Sequence, residues 1–166
     1  MKKFLGVLST VLVIGFALSS CSPPSVDAWD KTQVEREVRE MLDAYFTDIQ
    51  QSGLTAEFAY LDSTEDFFWV PPGYDSALDY DSVRTILEYN ASSLQEISYA
   101  WNDLQIHPLS RDIATYTGIV LGEISDTSGM KSNVHMLESG TVIRRDDGWK
   151  ILCGQSRDFP GVVQLP

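Results

Sequence analysis

Residues 141–156, "TVIRRDDGWKILCGQS", read as two β-strands joined by a tight turn. Asp146, Asp147 and Gly148 supply the turn, because glycine enters the left-handed region without a Cβ penalty. The β-branched and aromatic residues on either side favour extended chain. Taken as a three-residue loop with Gly148 left-handed, the hairpin pairs Arg145 with Trp149. Strict alternation then sets Trp149, Ile151, Cys153 and Gln155 on one face with Ile143, Thr141 and His135, and the apolar members make that the inner face. A two-residue loop would turn the preceding strand over.

Working back from this hairpin, residues 97–106, 113–124 and 133–145 have strand character and join 149–155 through short turn-like connections such as "SDTSG". Consecutive antiparallel pairing is the economical topology. Upstream the pattern is helical. Val34, Val38, Leu42, Tyr45 and Ile49 recur at spacings of four and three, with Asp30 and Gln33 as caps, Trp29 as a staple onto Val34 and Gly53 as the stop. A shorter helix is expected over 55–61 and a strand over 66–70. The prolines of "PPGYDSALDY" demand a loop, and Asp81 then caps a helix with the stripe Val83, Ile86, Leu87, Asn90 and Leu94. About three helices followed by a strand meander define an α+β domain in which helices cover a curved antiparallel sheet. Helices crossing such a sheet need not fill its concavity, so an internal pocket is expected.

The first residues concern address rather than fold. Lys2 and Lys3 precede an uncharged apolar run over 4–18, too short for a membrane span of about 20 residues. Leu18 is too large for an ordinary secretory cleavage site, and "LSSC" at 18–21 resembles the lipobox of bacterial lipoproteins. That resemblance implies removal of residues 1–20, lipidation of Cys21, a tether over 21–28, and a domain over 29–160. The expectation is an exported protein held on a bacterial membrane, the outer membrane in a Gram-negative host, with its domain in the periplasm or at the cell surface. Several acyl chains on one residue anchor stably where one does not.

The whole chain carries a formal net charge of −12, and losing the leader removes two lysines and makes it more acidic still. Such a surface repels phosphate backbones, which argues against nucleic acid as a partner. Cys21 and Cys153 are the two cysteines; lipidation of the first leaves Cys153 without an internal disulfide partner. No zinc-spaced cysteines, H-E-x-x-H, phosphate-cradling glycine loop or nucleophile elbow occurs in the sequence, so no metal or cofactor is expected. The two histidines are His107, beside Pro108 at a strand end, and His135.

From Trp29 to Phe159 the chain resembles the nuclear transport factor 2-like superfamily and, within it, the SnoaL-like domains. "EREVREMLDAYFTDIQQSGL" looks like the first helix of that family, "RDIATYTGIV" like its middle strand, and "GTVIRRDDGWKIL" like its closing hairpin. The resemblance implies a cone of helices wrapped by a bent sheet with a pocket at one end. The superfamily hosts isomerases, cyclases, dehydratases and assembly modules, so membership alone leaves the function open. Many SnoaL-like hairpins carry two histidines where this chain has Cys153 and Gln155, neither of which exchanges a proton near neutral pH as imidazole does.

The leading expectation is therefore non-catalytic binding of a small apolar ligand or an envelope partner, with Tyr45, Trp69, His135, Trp149, Cys153 and Gln155 lining the site. An isomerase, cyclase or dehydratase would draw on His135 or Asp48 as base and Tyr45 as donor. A third expectation is a homodimer formed through the outer face of the sheet.

Overall fold

The computed structural model describes residues 29–159; the leader, Cys21, the tether and residue 160 lie outside the described residues. The helix α1, Lys31–Ser52, is followed by a 3-10 turn, Leu54–Ala59, and then by β1, Phe68–Val70. Next come α2, Tyr80–Ala91, and four long strands: β2, Leu94–Pro108; β3, Ile113–Asp126; β4, Lys131–Arg145; and β5, Gly148–Asp158. The helices pack on a five-stranded sheet of order β1-β5-β4-β3-β2. The meander β2 to β5 is antiparallel as expected, and β1 adds to the far edge parallel to β5. Among the described residues no helix is long and apolar enough to cross a membrane.

The first helix begins and ends where its residue types dictate. The Asp30 side chain accepts from the amides of Thr32 and Gln33, and Gly53, at φ 86°, returns its amide to the Ile49 carbonyl. Val34, Val38, Leu42, Tyr45, Phe46 and Ile49 form its buried stripe. For α2 the capping residue is Asp79, which accepts from the Ser82 amide, and not Asp81, which sits in the first turn. Its stripe also ends sooner than expected, since Leu94 opens β2.

Two details of register correct the expected faces. The closing hairpin has a two-residue loop: Arg145 pairs with Gly148 and Arg144 with Trp149. This turns β4 over, so Val142 is fully buried while Thr141, Ile143 and His135 face outward. Both arginines find acids in this register: Arg144 pairs with Glu37 and Asp112, and Arg145 with Asp62. A bulge then interrupts β5, because Val142 opposes Ile151 while Thr141 opposes Cys153, leaving Leu152 as the extra residue. Here the outer edge of β5 changes partner. Ile151 exchanges hydrogen bonds with the 60–62 segment, and residues 153–155 pair with β1. Trp149 and Ile151 face inward as expected, but past the bulge the inward positions belong to Gly154 and Ser156, and Cys153 and Gln155 face outward.

A second bulge, in β2 between Asn102 and Gln105, holds Asp103 at φ 57° and bends the sheet around α1. Large rings lie flat on the concave floor where the opposing strand offers glycine. A Cβ on Gly154 would stand 2.5 Å from the Trp69 ring, and one on Gly122 would stand 2.7 Å from Tyr99. Phe46 stacks on Trp101 at 4.6 Å, and the Trp101 indole donates to the Leu42 carbonyl at 3.2 Å, tying α1 to the floor.

Candidate functional site

Between the C-terminal half of α1, the 3-10 turn, α2 and the concave sheet lies a cavity of about 410 Å³. Its walls are mostly apolar. Val83, Ile86, Leu87 and Asn90, the expected inward stripe of α2, form one side, and Tyr45, Phe46, Trp69 and Tyr99 provide aromatic surface. The Trp69 indole N–H donates to the Ser156 hydroxyl at 3.2 Å, fixing β1 against the end of β5.

Two carboxyls enter this apolar space. Glu138 projects from β4 and is 5% exposed; its Oε1 accepts from the Tyr116 hydroxyl at 2.8 Å. Glu57, half-buried, comes from the 3-10 turn and lines the cavity. Burial pushes the Glu138 carboxyl up to about 8, against the pull of the Tyr116 hydrogen bond, with the neighbouring Glu57 charge adding to the rise. Burial likewise raises Glu57 to about 7, opposed by the Tyr45 hydroxyl. Desolvation, reinforced by both carboxylates, drives the Tyr45 and Tyr116 phenols well above their ordinary range and Tyr99 to about 12, so all three remain neutral hydrogen-bond donors. Among the described residues no Lys, Arg or His lines the cavity. The chemistry on hand is therefore two carboxyls that change protonation near neutral pH, set among phenols that do not.

The expected site residues divide. Tyr45 and Trp69 line the cavity. Trp149 is buried and inward, but at the hairpin end, where its indole donates to Glu37 at 3.3 Å and Arg144 stacks on its ring at 4.5 Å. His135 faces outward and packs edge-on against Phe159 at 5.1 Å. Cys153 and Gln155 border a shallow outer groove with Phe68 and Thr141. Asp48 accepts from the Tyr60 hydroxyl and does not line the cavity. Among the described residues no cluster of three or more His, Cys, Asp or Glu side chains is arranged to hold a metal ion.

Glu57 and Glu138 were not anticipated, although both left a trace in the sequence. With a two-residue hairpin loop, Glu138 falls in phase with Met136 and Val142 on the inward face, where an isolated acid is unusual. Glu57 lies three residues past Leu54 in a short helical segment, so it shares the buried side of that turn.

The sequence of this domain matches a known family. The SnoaL-like domain family matches residues 38–156, and the chain belongs to it. No match was found among curated proteins. Among solved structures the chain is similar to a provisionally named scytalone dehydratase from Novosphingobium aromaticivorans, with a TM-score of 0.67 and 18% identity over 78% of this chain and 87% of that one. It is similar also to a nuclear transport factor 2-like protein from Salmonella enterica, with a TM-score of 0.66 and 12% identity over 81% and 98% of the two chains. A ketosteroid isomerase-like protein from Erwinia carotovora gives a TM-score of 0.60 and 16% identity over 75% and 95%. At these identities the likeness establishes the nuclear transport factor 2-like fold.

Proposed function

We propose that the domain binds a small, largely apolar molecule in the cavity bounded by α1, α2 and the concave sheet, and that it does so on a membrane surface, anchored through lipid on Cys21. The carrying observation is an apolar and aromatic cavity of about 410 Å³ that the core leaves unfilled, a size within the usual range of about 300–1,000 Å³ for small-molecule sites. A thermal-shift screen of small apolar compounds against the full chain should give ligands that raise Tm, and Leu87→Trp, which fills the cavity from α2, should abolish those shifts. A screen without shifts, or shifts that survive Leu87→Trp, would remove the reading. For the anchor, intact-mass measurement of membrane-fraction protein should find acyl chains on Cys21, and Cys21→Ala should release the protein into the soluble fraction.

The carboxyl pair supports a second reading, proton-transfer catalysis of the isomerase or dehydratase kind. With Glu57 near 7 and Glu138 near 8, one carboxyl takes a proton as base while the other, backed by Tyr116, stays protonated and donates to a carbonyl oxygen. In this reading the two glutamates take the base role first sought in His135 or Asp48 and the donor role first sought in Tyr45. Deuterium incorporation next to the carbonyl of a bound ketone, lost in Glu57→Gln, would support it; unchanged exchange in that variant would end it. Dimerisation through the outer sheet face is a third proposal, supported by the exposed Phe68, Ile113 and Leu121, and a strict monomer in light scattering would exclude it.

A further inference from the structure

The cavity's charge inventory is one-sided. Glu57 and Glu138 both face it, and the groups around them from every packed element are the phenols of Tyr45 on α1, Tyr99 on β2 and Tyr116 on β3, together with Ser156 on β5 and Trp69 on β1. Cys153 lies behind Tyr116 on the outer side of the sheet. None of these is a cation. Tyr116 satisfies Glu138 Oε1; among the described residues no hydrogen bond is made to Oε2, no sealed-off polar atom is left unpartnered, and Glu138 lines the cavity. Buried carboxylates are ordinarily paired. Elsewhere the protein pairs the buried Asp62 with Arg145 and the half-buried Glu37 with Arg144. Among the described residues the cavity thus holds two carboxyls that change protonation near neutral pH and no cation to hold them ionised.

The surrounding surface suits such a charge. Tyr45, Phe46, Trp69 and Tyr99 line the same cavity as the two acids, and aromatic faces attract an organic ammonium, most strongly when it is desolvated. An anion would meet two acids and no donor cation. A neutral ligand would fill the volume without a counter-charge to draw the carboxyls into their ionised form.

We propose that the ligand of this cavity is a lipophilic organic cation, a protonated amine whose ammonium sits between Glu57 and Glu138 and whose apolar body lies against α2 and the aromatic floor. The inference rests on the small-molecule binding reading and narrows it to one class of ligand. Because the ammonium stabilises both carboxylates, binding near neutral pH expels protons from them, which neutral ligands do not cause.

The experiment is calorimetric titration of the full chain at pH 7 with three probes of one shape: 2-phenylethylamine, 2-phenylethanol and phenylacetate. The amine should bind at least tenfold more tightly than the alcohol, and phenylacetate more weakly than either. The amine's heat should also change between buffers of different ionisation enthalpy, reporting proton release. Glu138→Gln and, independently, Glu57→Gln should shrink the amine's preference over the alcohol to about threefold or less. Equal affinities for amine and alcohol, or a preference that survives both substitutions, would overturn the cation inference and leave the binding reading standing. Failure of all three probes to bind at millimolar concentration would overturn both.

Discussion

Glu37 on α1 and Glu138 on β4 are the same residue type; Arg144, which pairs with Glu37, lies roughly 20 Å along β4 from Glu138, and the two environments drive the two acids in opposite directions. At the hairpin end, Glu37 meets the Arg144 guanidinium and the Trp149 indole, and its carboxyl is held below the ordinary range chiefly by the Arg144 hydrogen bond. In the cavity, Glu138 has a single phenol for company, and desolvation lifts it to about 8. One end of the domain uses its acids to tie elements together. The other keeps them available to whatever enters.

The contrast can be tested most severely by removing a cation from the paired end. Arg145→Ala strands Asp62, which is 2% exposed, and is expected to cost about 3 kcal/mol in urea unfolding at pH 7. A loss under about 1 kcal/mol would mean that the Thr64 amide alone supports that carboxylate.

Next in size is a gain at the unpaired end, and its sign depends on pH. A carboxyl lowered in the fold, such as Asp62 or Glu37, contributes stability that is present above its unfolded pKa and lost as pH falls through the lowered value. A raised carboxyl such as Glu138 contributes stability that is fully present below the ordinary 4.5 and lost as pH rises through about 8. Glu138→Gln should therefore stabilise the ligand-free protein by on the order of 2 kcal/mol at pH 8 and change little at pH 4. Unfolding curves of both proteins across that range would check it, and parallel curves would contradict the elevated pKa.

Smaller again is Trp149→Phe, which keeps the ring under Arg144 and removes the indole donor to Glu37. A loss of about 1 kcal/mol is expected, together with an NMR-titrated Glu37 that moves up toward its ordinary value. Least of all, His135→Ala and Cys153→Ser act on the outer face and should alter stability by under about 0.5 kcal/mol while leaving cavity-ligand affinity unchanged. An affinity loss in either variant would mean that the outer face reaches the ligand.

The architecture was legible because its signals are periodic and local. The four-and-three spacing from Val34 to Ile49, the turn residues between strands and the Asp-Asp-Gly loop each act over a few positions, so helix, meander and hairpin follow from the sequence. The cavity wall was only partly legible. Tyr45, Trp69 and the α2 stripe sit on elements whose faces depend on periodicity alone. His135, Cys153 and Gln155 depend on two events that shift phase by a single residue: the length of the hairpin loop and the bulge at Leu152. The loop choice is decided far away, by Glu37 and Asp62 waiting for Arg144 and Arg145. The bulge is decided by β5 changing partners between the 60–62 segment and β1. Glu138 was hidden by the same error, since the wrong loop length assigned it to solvent.

The unpaired Leu152 also acts as a selector. Two interchangeable sets of residues alternate just past the bulge in β5, one small, glycine and serine at 154 and 156, the other carrying sulfur and amide at 153 and 155. Shortening the strand by that one leucine would rotate the remainder half a pleat and exchange the sets. In this fold the reactivity of the interior is thus governed by insertion and deletion as much as by substitution.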